Sequence, residues 1–569
     1  MSEWLQLAMP HLIVAPVALP LLTSALLLLM GEPRRQLKVL LSVFSSLCGL
    51  LVAIALLIWV DRHGTPAVIG VYLPSNWDVP FGIALVVDRL SALMLVLTGA
   101  LSVASVLFSL ARWHRAGAHY HPLFHIQLMG LNGAFLTGDL FNLFVFFEVM
   151  LAASYGLLLH GSGEKRVRAS MHYIAINLLA SSLFLIGVAM LYGITGTLNM
   201  ADMAQKIPYI PATDRGLLHA GAAILGIAFL TKAAMWPLNF WLAPAYAAAG
   251  APVAALFVIL TKVGIYAVIR LWTLLLSAEA GSSALLGGDA LIYGGLATLT
   301  FGAIGMLASQ QVRRLAGFSV IVSSGTMLAA TGFGDAALVG TALFYLIGST
   351  LAGGALFLLG ELIERSRQNA DAQPPIHDST VELLRFYVEM REPDQLANLD
   401  DEEVALIGTP IPAAVAFLGL SFIVCSLLIA GLPPLSGFLA KFAMLSVLLD
   451  PSVGRTAQAT PPAAWALLAL LLGSSILSTI ALSRAGAHHF WTPHNRPAPH
   501  LRIIECLPIA ALLAICAALT VGADPALRYA RAAADDVLDP VPYIEAVMSA
   551  MPVPGPTRAR QLPLEGVSP

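Results

Sequence analysis

Stretches of about 20 mostly apolar residues, following one another along nearly the whole chain, restrict this sequence to a helical membrane domain. A helix of that length crosses roughly 30 Å of hydrocarbon. Within lipid every backbone N–H and C=O must be satisfied by the protein, which a helix does inside a single segment. Apolar runs fall near residues 11–30, 37–60, 83–111, 122–138, 140–160, 170–193, 217–240, 251–274, 286–307, 314–333, 337–362, 411–449, 463–484 and 503–523. These runs predict an all-α polytopic membrane protein of about 14 transmembrane helices. Composition agrees, with 58% hydrophobic against 11% charged residues, where soluble chains carry about 25% charged. A formal net charge of −3 provides no basic surface for nucleic acid, so the lipid bilayer is the expected partner.

The loops suggest an orientation. Arg34, Arg35, Lys38, Arg112, Arg115, Lys165, Arg166, Arg168, Arg313, Arg314 and Arg484 all fall in odd-numbered loops. Cytoplasmic loops are enriched in Lys and Arg, which places those loops in the cytoplasm and both termini on the periplasmic side of a bacterial inner membrane. The start of the chain has no basic region before its first apolar run and reads as a retained span. One loop, 361–408, is long and acidic, with 12 Asp or Glu against 4 Arg between 361 and 403. Its segment Val381 to Val388 has the spacing of a short amphipathic helix, either a docking site for a partner or part of a solvated loop. After 523 the spacing of Leu527, Val537, Leu538 and Ile544 predicts an interfacial helix and then a loose tail. Cys48, Cys425, Cys506 and Cys516 sit in apolar stretches as small core residues.

Only 6 lysines occur in the chain, and Lys232, Lys262 and Lys441 lie in apolar runs. A cation at the bilayer centre costs at least about 2.5 kcal/mol, so such residues usually face a polar interior and take part in ion movement. Lysine, unlike arginine, can release its proton when buried, which points to protons. The alternative for each lysine is snorkelling to an interface or a fixed structural pair. Lys262, about eleven residues from either end of its run, fits that alternative least. Glu148, in the aromatic segment Asn142 to Met150, is the acidic counterpart and needs a cation from another helix or a proton. Lys232 precedes Pro237, and Lys441 follows Pro433 and Pro434. Proline interrupts a helix, and paired interruptions in two halves of a chain mark ion sites in transporters built from inverted repeats. The expected organisation is N-terminal helices 1–3 over 1–121 and a first five-helix repeat over 122–274. A second repeat, containing the acidic loop, would span 286–484, with a final helix and tail over 485–569.

At these residues the sequence resembles the antiporter-like proton-translocating subunits of respiratory complex I and of Mrp-type (Mnh, Pha) multisubunit cation/proton antiporters. Phe141 to Tyr155, Gly193 to Asp202, Thr231 to Trp241 and Gly431 to Phe442 are most similar to the D subunits of the Mrp type, within a likeness running from about residue 80 to 480. The resemblance implies that Glu148 pairs with Lys232, that Lys262 passes the proton on, and that Lys441 exchanges it with one side of the membrane. His172 stands where many relatives carry Lys, and Ser323, next to Ser324, stands where complex I relatives carry His; these three are possible relay residues. The acidic residue that relatives carry after the first break is missing from Leu242 to Tyr246.

Asp88 and Arg89 read as a local interfacial pair, and Asp139 as a helix cap near Asn142, where a role in cation entry is the alternative. His119, His121 and His125, and later His488, His489 and His494, fall near expected membrane surfaces and read as interface packing, with no metal site expected. The chain has no P-loop, dinucleotide fingerprint or nucleophile motif, so no cofactor is expected and a transporter subunit is expected over an enzyme. The leading expectation is a proton-translocating subunit of a multisubunit Na⁺ (or K⁺)/H⁺ antiporter, partnered by other hydrophobic subunits. The rivals are a proton-pumping subunit of a complex I-type or membrane hydrogenase redox complex, and a scaffold that moves no ions.

Overall fold

The computed structural model describes residues 11–31, 34–61, 68–117, 119–161, 163–372, 412–450, 461–491 and 500–553. The described part is almost entirely helical. The first group of helices is α1 (Ala15–Leu29), α2 (Arg35–Asp61) and α3 (Arg89–Ser109). Next come α4 (Tyr120–Leu136), α5 (Leu140–Leu159), α6 (Glu164–Thr195), the short α7 (Met200–Lys206), α8 (Arg215–Lys232), the short α9 (Leu242–Ala248) and α10 (Ala251–Leu275). They are followed by α11 (Gly288–Ala308), α12 (Val312–Gly332), α13 (Ala336–Ala372), α14 (Ala413–Ala430), α15 (Ser436–Leu448) and α16 (Pro461–Gly486). The chain closes with α17 (Ile503–Val521), α18 (Ala523–Leu538) and α19 (Val541–Met548).

Among the described residues 11 helices are long and apolar enough to cross a membrane, and α1 and α15 are shorter apolar helices. The expected run 217–240 stops being helical at Lys232, and the run 411–449 divides into α14 and α15. Prolines and residues at positive φ cause both interruptions. A two-stranded antiparallel hairpin, Gly70–Tyr72 with Leu85–Val87 in the register Val71 to Val86, was not expected from the apolar runs.

Burial is radial. The membrane window of α10 is wholly buried and those of α12 and α13 are 89% buried, whereas that of α2 is 28% buried. Outer helices show leucine and isoleucine to the surface, as at Leu40, Leu51 and Ile476, which suits a lipid solvent. Lipid gives no hydrophobic drive for helices to associate, so close packing of small residues takes over. A Cβ on Gly302 of α11 would lie 2.8 Å from the Val322 nitrogen of α12, so those backbones touch. Likewise a Cβ on Gly264 of α10 would lie 2.5 Å from the Ala233 nitrogen, which sets the central helix directly against the first break.

Several expectations are corrected by the packing. Helix α13 runs on to Ala372, and Glu361, expected in the acidic loop, is buried. Glu361 accepts from Trp113 Nε1 at 2.8 Å and from the Ala251 N–H at 3.2 Å, placing a carboxylate at the start of α10, where the helix dipole favours it. Residues 373–411, including Val381 to Val388, lie outside the described residues, as does His494. Asp88 and Arg89 do not pair with each other. Asp88 caps α3 through the Ser91 N–H at 2.9 Å and pairs with buried Arg270 at 2.5 Å, while Arg89 reaches Asp536 of α18 at 2.9 Å. Instead of one interfacial helix, residues 523–548 form α18 and α19, with Ala530, Ala533 and Val537 buried and Tyr543 stacking on Arg270, 5.0 Å from ring to guanidinium. His121 and His125, expected near a membrane surface, are buried among neighbouring helices.

Candidate functional site

The first break follows from the sequence Lys232-Ala233-Ala234-Met235-Trp236-Pro237. Ala234 takes a φ of +55° and Pro237 has no backbone N–H to donate, so the helix cannot continue. The Trp236 N–H released by the break donates to the Thr298 hydroxyl of α11 at 2.8 Å, as backbone at membrane depth requires. Lys232, the last residue of α8, is buried and donates from Nζ to Asn177 Oδ1 of α6 at 2.8 Å.

The second break has matching parts. α14 ends at Ala430, Gly431 takes a φ of +73°, Pro433-Pro434 is cis, and α15 begins at Ser436. Here too a threonine from another helix satisfies the backbone, with the Ser436 N–H donating to Thr520 of α17 at 2.8 Å. Lys441, in the second turn of α15, donates to the Ala430 carbonyl at 3.0 Å and to the Ser475 hydroxyl of α16 at 2.8 Å.

Lys262 lies between the breaks on α10 and is 0% exposed. Its Nζ donates to Ser323 Oγ of α12 at 2.7 Å, and Ser323 shares a hydrogen bond with Ser349 of α13 at 2.9 Å. Ser323, expected only as a possible relay, is thus the lysine's direct partner. Ser324 is fully buried, and its hydroxyl, like those of Thr350 and Ser436, has no partner among the described residues. On the other side a small cavity is lined by Asn177, Lys232, Tyr246 and Thr261. The Tyr246 hydroxyl meets Thr261, the residue before Lys262, at 2.5 Å. The cavity thus brings Lys232 and Asn177 to Thr261, the residue before Lys262, and Lys262 in turn meets the Ser323 and Ser349 hydroxyls.

Glu148 is half-buried, and among the described residues it forms no ion pair with Lys232. It accepts a hydrogen bond from Ser181 of α6. Ser181 is one turn from Asn177, so the carboxylate and the ammonium are joined through adjacent side chains of α6. His172 is exposed, on another face of α6 from Tyr173 and Asn177, and its Nδ1 lies 3.1 Å from the Arg168 carbonyl. The structure does not bring it to the lysines. Asp139 caps α5 through the Asn142 N–H at 2.8 Å; burial pushes its carboxyl up while the N–H groups of Asn142 and Phe141 oppose that shift. Asn177, Ser349 and Ser475 were missed.

All three lysines thus rest on neutral groups. A carboxylate partner would hold the ammonium charged, whereas a hydroxyl both accepts from NH₃⁺ and donates to NH₂. The hydroxyls of Ser323 and Ser475 can accordingly hold Lys262 and Lys441 with or without the proton, whereas Asn177 Oδ1 beside Lys232 only accepts.

Interrupted helices enclosing buried cations at membrane depth define a polytopic ion-transport subunit. Residues 137–375 match the family model described as NADH:quinone oxidoreductase/Mrp antiporter, transmembrane. The probable K⁺/H⁺ antiporter D subunit of Rhizobium meliloti is 50% identical over 97% of this chain and 99% of its own. The Na⁺/H⁺ antiporter D subunit of Alkalihalophilus pseudofirmus is 32% identical over 95% of this chain and 100% of its own. Among solved structures, a chain of the Mrp complex from Dietzia sp. superposes with a TM-score of 0.77 at 27% identity, covering 95% of this chain and 99% of that one. The chain belongs to the D-subunit family of multisubunit cation/proton antiporters.

Proposed function

We propose that this chain carries protons across a bacterial plasma membrane as the D subunit of a multisubunit antiporter that exchanges them for Na⁺ or K⁺. The observation that carries this reading is the set of three buried lysines, each bonded only to neutral oxygens. Lys232 takes and gives up a proton beside Asn177, with Glu148 biasing it through α6. Lys262 receives the proton by way of the Thr261 side and passes it to the Ser323 and Ser349 hydroxyls. Lys441 exchanges it with one face of the membrane. The chain supplies no oxidant or nucleophile in this scheme and acts as a transporter subunit. Residues 122–274 and 286–484 serve as the two inverted repeats, each with its break, and the basic odd loops lie in the cytoplasm with both termini outside.

The test is pH-gradient collapse on adding Na⁺ or K⁺ to inverted vesicles containing the whole complex, with native protein and with Lys232→Ala. The expected result is cation-driven proton movement in the native complex and none in the variant at equal assembly. If neither cation moves protons in native vesicles, the redox-pump reading replaces this one. If Lys232→Ala exchanges normally, the lysine mechanism is wrong.

A further inference from the structure

A second polar file lies apart from the lysines, in the bundle of α1 to α4. Four positions of α4, His121, His125, Leu128 and Asn132, recur at helical spacing, and three of them are polar where lipid makes polarity expensive. His121 Nδ1 lies 3.0 Å from Ser42 Oγ of α2, and the same hydroxyl lies 2.9 Å from His125 Nε2. The two ring nitrogens left without a partner among the described residues are His121 Nε2 and His125 Nδ1, the two ends of this three-member chain. His125 is 0% exposed and lines a cavity with Ser45, Ser46, Thr98, Ser102 and Asn132. The Ser46 hydroxyl also has no partner among the described residues.

The cavity's far end has a physical cause. Pro20, inside α1, cannot donate to the Pro16 carbonyl one turn back. That carbonyl accepts instead from Asn132 Nδ2 at 2.8 Å, which draws a polar side chain into the bundle. At the other end, the His114 ring lies 6.2 Å from that of His121, in a half-buried turn at the bundle's end. Burial lowers the His114 imidazole from its ordinary value, with Arg115 and Arg35 acting in the same sense against the Ser109 carbonyl. The titratable groups facing His121 are His114, His160 and Lys38 of α2, and His121 itself is the one facing His125. From His121 to Asn132 the file follows α4 for about 16 Å, at 1.5 Å per residue.

We infer that α1 to α4 enclose a second proton-conducting file, entered past His114 and carried by His121, Ser42 and His125 into a hydrated cavity, spatially apart from the lysine axis and required together with it for exchange. A proton added at Nε2 of His121 releases the Nδ1 proton to the Ser42 oxygen. Ser42 passes its own proton to Nε2 of His125, and the Nδ1 proton of His125 leaves into the cavity. One proton enters and one leaves, and both imidazoles finish neutral in the other tautomer. This inference rests on the proton-transport reading above.

The test uses the whole complex in inverted vesicles, in a Cys48→Ser background. Ser46→Cys is expected to react with 2-aminoethyl methanethiosulfonate added to the vesicles, and a dry cavity that leaves it at background overturns the inference. Ser42→Ala should slow cation-driven proton movement about a hundredfold, the lower end of the range for loss of a positioned proton-transfer group, and Ser42→Thr should restore it. His125→Phe, which fills the cavity, should both block labelling and slow exchange. If the thiol labels but Ser42→Ala and His125→Phe, assembled at native levels, exchange at the native rate, the site is only hydrated packing and the inference fails. Lys232→Ala in the same assay separates that outcome from failure of the lysine mechanism, since it stops exchange only where the lysine axis carries protons.

Discussion

The two broken helices solve one problem with the lysine on opposite sides. At the first, Lys232 ends the leading half-helix and depends on a single side chain, Asn177 of α6. At the second, Lys441 sits on the trailing half-helix and reaches back to the Ala430 carbonyl, with Ser475 as a further acceptor. The carbonyl end of a helix carries partial negative charge, so Lys441 is held partly by backbone that no substitution can remove. Lys232 is held by a residue whose neighbour on α6 binds Glu148. The first break is therefore built to respond to a carboxylate, and the second to anchor an ammonium.

The largest effect should come from the residue that links the breaks. Lys262→Ala removes the titratable side chain that joins the Thr261 side of the path to Ser323, and cation-driven proton movement in vesicles should fall about a hundredfold or more, as for loss of a central proton-transfer group. A variant assembled at native levels with exchange above about one tenth of native would remove Lys262 from the path. Next comes the contrast between partners. Asn177→Leu leaves a buried ammonium without an acceptor, at a cost of about 1–3 kcal/mol, and exchange should drop about tenfold to a hundredfold. Ser475→Ala leaves Lys441 the Ala430 carbonyl, so its loss should be about threefold, one hydrogen bond's net worth. Equal effects at the two positions would erase the distinction drawn between the breaks. Asn177→Asp sharpens it further: a carboxylate there would keep Lys232 charged, so exchange should stop although the complex assembles normally.

Much of this was legible in the sequence, for reasons that differ by residue. Lys232, Lys262 and Lys441 stand out because cations are rare in apolar runs, and Pro237, Pro433 and Pro434 mark where helices must stop. Ser323 was reached only through resemblance, and its contact with Lys262, 61 residues away, is a tertiary fact. Asn177 stayed hidden because a lone amide in an apolar run has no periodic signature, and its partner is 55 residues on. Glu361 was assigned to a solvated loop by the charge around it, while its carboxylate caps α10 from another helix. The nearness of His121 and His125 to the end of a run gave their level along the chain but not their burial among other helices. Which face of α4 they occupy depends on Ser42.

The smallest expected effect tests how each break turns its chain. Gly431 meets the left-handed requirement with no side chain, and a Cβ there would lie 2.6 Å from Lys441 Cδ. Gly431→Ala should therefore combine backbone strain of about 1–2 kcal/mol with displacement of the lysine stem, lowering both the thermal midpoint of the complex and exchange. Ala234, at φ +55°, accepts the same strain with its methyl group in place. Ala234→Gly relieves about 1–2 kcal/mol of left-handed cost and adds about 0.5–1 kcal/mol of unfolded-chain entropy, leaving a net gain of between about 0 and 1.5 kcal/mol in stability. The thermal midpoint should rise slightly, with the Lys232 environment unchanged and exchange near native. A lower midpoint with reduced exchange would mean that the Ala234 methyl is needed to hold the end of α8 against α10, making the first break a packed joint rather than a turn that merely lacks its glycine.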